Sequence, residues 1–186
     1  MLEKSFFRKK CLRLRRDLDT EVISHRISLQ ILSFFKSYPV DSIGFYYPIQ
    51  RDPDLREALL KLQRQKIIRN LALPRICGTR MSFLLWDEHS GLVKDDAGIP
   101  APVGKEIIHP QCLLIPCVAI DWQGYRLGYG GGWYDRLLKE GAYEMTVGVV
   151  AKPFVLKELP HEAHDVPLDG FVNEDGFTWV KPLQKS

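Results

Sequence analysis

The chain has 186 residues, 45% hydrophobic and 26% charged, with a net charge of +3. That is the composition of a soluble globular protein, long enough for a single domain, residues 1–186, to bury its own core. No apolar run approaches the roughly 20 residues a membrane helix needs, and the charged N-terminus lacks a signal-peptide apolar region. A cytoplasmic protein with no membrane partner is expected. Four cysteines (Cys11, Cys77, Cys112, Cys117) show no C-x-x-C spacing and read as free thiols of a reducing compartment.

Charge is uneven along the chain. Residues 1–16 carry Lys4, Arg8, Lys9, Lys10, Arg13, Arg15 and Arg16 against Glu3 alone, so the remainder is slightly acidic. The segment to Leu18 has helical periodicity, with Phe7, Cys11, Leu14 and Leu18 forming an inward stripe. Lys4, Arg8 and Arg15 share a neighbouring stripe and could reach an adjacent cleft. The basic face lacks interleaved aromatics, which argues against a nucleic-acid arm.

A second helix is expected over 21–36, with Val22, Ile23, Ile27, Ile31 and Phe34 or Phe35 inward. Ser42 to Tyr47 reads as a buried strand stopped by Pro48. Asp52 and Pro53 have the residue types of an N-cap and first helical position, opening a helix to about Lys66. Strands follow over 67–73, ended by Pro74, and over 81–86. The stretch 87–110 holds three glycines and three prolines and reads as irregular. Cys112 to Ile120 is an apolar strand-like run, Trp133 to Glu140 a helix, and Thr146 to Val150 and Gly170 to Asn173 the last strands. Alternating strands and helices indicate an α/β fold, a three-layer α/β/α sandwich with a mostly parallel sheet.

The most informative segment is Gly124-Tyr-Arg-Leu-Gly-Tyr-Gly-Gly-Gly-Trp-Tyr-Asp-Arg136, between the apolar run and the helix. Glycines 128, 130, 131 and 132 let backbone N–H groups approach an anion, and the helix N-terminus and Arg126 add positive potential. Asp135 supplies a carboxylate suited to Mg²⁺. The pattern is neither a P-loop, lacking its Lys-Ser/Thr pair, nor a dinucleotide fingerprint, since Trp133 stands at the third glycine. Asp165 and Asp169 flank a loop that could give a second metal anchor. His161-Glu162-Ala163-His164 is not the zinc-protease spacing, and the prolines around it oppose a helix.

On these residues the chain resembles the 5-formyltetrahydrofolate cyclo-ligase family. The match is R-L-G-x-G-x-G-aromatic-Tyr-Asp-Arg at 126–136, flanked by Ile115-Pro116, Asp121 and Gly124, and by Leu159-Pro160 with His164-Asp165. Lys4 to Arg8 and the Tyr-Tyr-Pro at 46–48 also fit. The resemblance implies a ribose-phosphate-isomerase-like fold. It implies ATP contacts from Lys4, Arg8, Arg126, Leu127, Gly128, Tyr129, Gly130, Gly131, Gly132, Trp133 and Tyr134. It implies folate contacts from Tyr47, Asp52 and residues 129–133, and Mg²⁺ at Asp135 and Asp165. Lys4 and Arg126 become the catalytic charges, and a monomer binding ATP and a reduced folate, without nucleic acid, is expected. The implied reaction converts 5-formyltetrahydrofolate to 5,10-methenyltetrahydrofolate with release of ADP and phosphate. Asp52 stands where the family usually has glutamate, and Trp133 where tyrosine is commoner. Cys112, Cys117 and Ile120 replace aspartate, glycine and phenylalanine. A paralogue using the same cradle on another formylated or nucleotide-like substrate, and a non-catalytic folate or nucleotide binder, remain the competing readings.

Overall fold

The computed structural model describes residues 2–183. The chain begins with helix α1, Leu2–Arg15, and helix α2, Thr20–Ser37, whose N-cap Asp19 accepts from the Val22 N–H at 3.1 Å. Strand β1 is Ser42–Gly44, helix α3 Arg56–Arg64, and β2 and β3 are Asn70–Cys77 and Arg80–Trp86. Short strands β4 (Leu92–Lys94), β5 (Pro100–Pro102) and β6 (Ile107–Ile108) follow. Then come β7 (Cys112–Pro116), β8 (Ala119–Asp121), β9 (Arg126–Leu127), helix α4 (Trp133–Glu140) and β10 (Met145–Val149). The chain closes with β11 (Val155–Leu156), β12 (Gly170–Asn173) and β13 (Gly176–Trp179).

Among the described residues the main sheet has eight strands in the order β13-β12-β10-β7-β1-β2-β3-β6. The five from β12 to β2 run parallel, while β13, β3 and β6 join antiparallel at the two edges. Alternation along β7 shows why both faces must be covered. Cys112 and Leu114 enter a core with Ile27, Ile31 and Phe35 of α2 and Leu59 of α3. Leu113 and Ile115 enter a second core with Cys11 of α1, Ala119, Ile120 and Leu127, against which Leu137 and Leu138 of α4 pack. A sheet buried on both faces reads as a continuous apolar run, as β7 does. The expectation of three layers with a mostly parallel sheet is met, and antiparallel strands close both edges.

Several expectations are corrected. Helix α1 stops at Arg15, and Leu14 is 45% exposed; the inward position is taken by Arg15, 3% exposed, because it finds polar partners there. Val22, expected inward, also faces solvent. Asp52 and Pro53 do not open a helix: α3 begins at Arg56, and the Asp52 carboxylate is buried instead. Strand β2 runs through Pro74, which pairs opposite Phe83. Its pairing with β1 ends at Ala72, so Pro74 lies where one side of the strand is unpaired and a missing N–H is tolerated. The stretch 87–110 contains the β4–β5 hairpin and β6.

The apolar run is two strands. It leaves the main sheet after Pro116 and pairs β8 with β9 and β11 in a small separate sheet. Strand β13 was not anticipated; an Asn-Glu-Asp-Gly turn with Gly176 at φ +128° folds it back on β12.

Candidate active site

A cleft of about 880 Å³ lies over the carboxyl ends of β1, β7 and β2. From β1 the chain passes through α3 to β2 on one side, while β7 pairs on the other. Ligands of open α/β sheets bind at such a switch point. Every residue assigned to ATP, folate or metal by resemblance lines this one cleft. Helix α1 forms one wall, the residues after β1 another, and the segment from β9 into α4 the third.

The glycine segment is built as a turn rather than a direct strand-to-helix step. Asp121, fully buried, accepts from the Gln123 and Tyr125 N–H groups at 2.9 and 3.0 Å and from the Leu159 N–H at 2.9 Å. It thereby closes the β8–β9 turn and ties it to the late Leu-Pro segment, which gives the flanking Asp121 and Leu159-Pro160 signals a structural meaning. Beyond β9, Gly132 caps α4 at φ +66°, a conformation other residues rarely adopt. A Cβ on Gly131 would lie 2.4 Å from Trp133 Nε1, so the indole can fold back only over glycine. Arg136 stacks on that indole at 4.5 Å and donates to the Gly131 carbonyl at 2.9 Å.

At one end of the cleft two cations are held by two carboxylates. Lys4 is ion-paired with Asp165 and lies 3.9 Å from Glu162. Arg126 Nη2 donates to Asp135 Oδ1 at 3.1 Å, and Nη1 to the Val166 carbonyl at 2.7 Å. Arg8 Nε donates to the Gly128 carbonyl at 2.7 Å, fixing α1 against the glycine segment. Burial pushes the Asp165 carboxyl up, but the Lys4 and Glu162 N–H hydrogen bonds and the nearby Lys4 and His164 charges outweigh it. The net effect holds Asp165 below its ordinary value.

Among the described residues no group of three or more His, Cys, Asp or Glu side chains forms a metal cage. Asp135 and Asp165 nevertheless both face the cleft. Mg²⁺ commonly takes one or two carboxylates and completes its shell with phosphate oxygens and water, so this sparse oxygen donor set fits that ion. Asp169 does not join them: its Oδ2 accepts from Thr146 N and Oγ1 at 2.8 and 2.9 Å. His161 stacks on Tyr125 with ring centroids 3.7 Å apart, and His164 pairs with Glu162 at 3.1 Å. The His-Glu-Ala-His run forms a loop around the carboxylates rather than a zinc site.

At the other end, Tyr47 lies under the Arg56 guanidinium at 4.6 Å. The Asp52 carboxylate accepts from Arg15 Nη1 at 2.9 Å, from the Tyr129 hydroxyl at 2.6 Å and from the Ile49 N–H at 3.2 Å. Burial raises the Asp52 carboxyl above its ordinary value, although the Tyr129 hydrogen bond and the Arg15 charge oppose this. Burial and the adjacent Asp52 charge likewise drive the Tyr129 phenol up, keeping it a neutral donor. A wall of Pro74, Ile76, Met81 and Ile99 completes this end. That wall is invisible to sequence reasoning, which reads Pro74 as the end of β2. The same reasoning places Arg15 with Lys4 and Arg8 on a flank able to reach a cleft, but names no partner for it there.

The comparisons with known proteins agree with this architecture. Residues 3–174 match the 5-formyltetrahydrofolate cyclo-ligase family. The chain is 25% identical over 178 residues to the 5-formyltetrahydrofolate cyclo-ligase of Mycoplasma pneumoniae, covering 94% of this chain and 100% of that protein. Against the Saccharomyces cerevisiae 5-formyltetrahydrofolate cyclo-ligase, identity is 27% over 213 residues, covering 95% and 97%. The solved structure of Aquifex aeolicus 5,10-methenyltetrahydrofolate synthetase superposes with a TM-score of 0.81 at 33% identity, covering 100% of this chain and 96% of that one. The Mycoplasma pneumoniae 5,10-methenyltetrahydrofolate synthetase structure, with a TM-score of 0.75 at 22% identity and coverage of 92% and 99%, shares the fold. With the match running almost end to end and the glycine segment lining the cleft, the chain belongs to the 5-formyltetrahydrofolate cyclo-ligase family.

Proposed function

We propose that this chain is an ATP- and Mg²⁺-dependent 5-formyltetrahydrofolate cyclo-ligase, a single-domain monomer of the cytoplasm. The observation that carries the reading is the pairing of two cations, Lys4 and Arg126, with two carboxylates, Asp165 and Asp135, beside the glycine segment in one cleft. Cations there suit phosphate oxygens, and carboxylates suit a divalent ion.

In this reading the formyl oxygen on N5 attacks the γ-phosphorus of ATP and ADP leaves. N10 then adds to the activated carbon and gives up its proton, and phosphate departs with the C–O electron pair as the methenyl ring closes. Phosphoryl transfer asks a protein chiefly for positioning and charge neutralisation. Lys4, Arg8 and Arg126 exchange their present partners for phosphate oxygens, while the backbone N–H groups of residues 128–134 line the polyphosphate. Asp135 and Asp165 would hold Mg²⁺, which supplies Lewis-acid neutralisation of phosphate charge. Tyr47 and Trp133 offer flat faces to the pterin, with Tyr129 and Asp52 at its polar edge. No nucleophilic side chain is required.

The test is stoichiometry. Each 5-formyltetrahydrofolate consumed should release one ADP and one phosphate, and only when Mg²⁺ is present. ADP release that ignores the folate would assign the cleft to another acceptor.

A further inference from the structure

Arg15 is the most deeply buried cation among the described residues, its side chain 3% exposed, and the reaction written above makes no use of it. Its guanidinium donates to four oxygens: Gln50 O at 3.3 Å, Asp52 Oδ1 at 2.9 Å, the Tyr129 hydroxyl at 2.8 Å and Cys117 O at 2.8 Å. Those acceptors come from the loop after β1, the glycine segment, and the link where the chain leaves β7 for β8. Arg15 is itself on α1, the helix that presents Lys4 and Arg8 to the opposite end of the cleft. One side chain therefore ties α1 to the loop carrying Asp52 and to the glycine segment.

Stability alone is a poor reason for this arrangement. A buried ion pair gives little net stabilisation compared with apolar packing, and an apolar residue at position 15 would continue the Phe7 and Cys11 stripe. What a planar, multiply bonded guanidinium adds is fixed geometry.

Building on the cyclo-ligase reading, we propose that Arg15 is a positioning residue. It touches neither substrate, and it sets the rotation and depth of α1 relative to Asp52 and Tyr129, so that the phosphate held by Lys4 and Arg8 meets the acceptor in line. Displacement of reacting groups by about 1 Å is enough to lower a rate about 100-fold.

The test compares Arg15→Met and Arg15→Lys with the wild-type chain. Arg15→Met should lower kcat about 100-fold while KM for ATP and for the folate each move less than about fivefold, and Arg15→Lys should recover part of the loss. The pH profile separates positioning from mere support. Among the described residues Asp52 is hydrogen-bonded by Arg15 and Tyr129 and feels the nearby Tyr46, Tyr134 and Cys117, and Arg15 is the only cation of these five. Its removal should move the acid limb of kcat to higher pH, and lysine should restore it.

Amide hydrogen exchange reads the same proposal without turnover. In Arg15→Met, loops 47–54 and 128–132 should lose protection together while β7 and β10 keep theirs. Loss of protection throughout the sheet, or kcat within twofold of wild type, would overturn the proposal. Should wild type prove inactive on 5-formyltetrahydrofolate, the functional reading falls, and exchange still decides the geometric one. If Arg15→Met does not fold, Arg15→Lys and Tyr129→Phe replace it. Their combined loss should be smaller than the product of the single losses, and independent effects would contradict a shared network.

Discussion

Lys4→Met removes one charge from the phosphate end of the cleft and leaves the aliphatic stem, so the helix that carries it keeps its packing. Lys4 is 17% and Asp165 12% exposed at the side chain, so their pairing is only partly screened by water. A charge-assisted hydrogen bond is worth about 1.5–3 kcal/mol, which converts to a loss of about 10- to 150-fold in ATP affinity. Residual exposure places the expected value in the lower half of that range. Folate affinity should change less than about twofold, because Tyr47, Asp52 and Tyr129 lie at the other end of the cleft. The variant has an opposite effect on the metal. Asp165 no longer has to release a cation, so Mn²⁺ used as a probe should bind the nucleotide-free variant more tightly than wild type. Calorimetry with ATP and electron paramagnetic resonance with Mn²⁺ measure the two sides separately. Unchanged ATP affinity, or equal losses for ATP and folate, would refute the assignment of Lys4 to phosphate.

Asp135→Asn keeps the Oδ1 acceptor that serves Arg126 and the Val166 N–H, so the protein should fold with unchanged far-ultraviolet dichroism while turnover is abolished. Full activity would remove Asp135 from the metal role. Gly124→Ala places a Cβ 2.5 Å from the Leu168 carbonyl oxygen on a backbone at φ +88°. The expected destabilisation is about 2–4 kcal/mol, seen as a Tm lower by about 5–15 °C in thermal unfolding; an unchanged Tm would contradict the close approach. In native protein at pH 8 a thiol reagent should titrate Cys77 rapidly and Cys11, Cys112 and Cys117 slowly, since only Cys77 is exposed. Burial pushes the Cys117 thiol up to about 12, so rapid labelling there would show that the β7–β8 link opens.

What the sequence made legible follows from local rules. Glycines where Cβ atoms would clash or φ is positive, a basic helix whose cations repeat every four and seven residues, and apolar runs long enough for a doubly buried sheet all signal themselves within a few positions. The residues that misled are those whose role is set by distant partners. Pro74 looked like a strand end, yet the absence of β1 beyond Ala72 makes it harmless. Pro116 lay inside an apparently continuous strand, and only the pairing of β8 with β9 and β11 shows that the chain changes sheets there. Asp52 followed by Pro53 has the chemistry of a helix start; Arg15, 37 positions earlier in the chain, and Tyr129, 77 positions later, pull it into the cleft wall. Leu14, expected inward, faces solvent, and Arg15, expected to reach a cleft, is fully drawn in for the same reason. A hydrophobic pattern gives the inward face of a helix, but a buried cation becomes visible only when its acceptors are in place.

The most direct test is near-ultraviolet absorbance after mixing the protein, Mg-ATP and 5-formyltetrahydrofolate, since the conjugated methenyl product absorbs where the substrate does not. A rise that requires the protein, ATP and Mg²⁺ together is the predicted result. A flat trace from folded protein that still binds Mg-ATP would contradict the folate assignment and leave the phosphate cradle with a different acceptor.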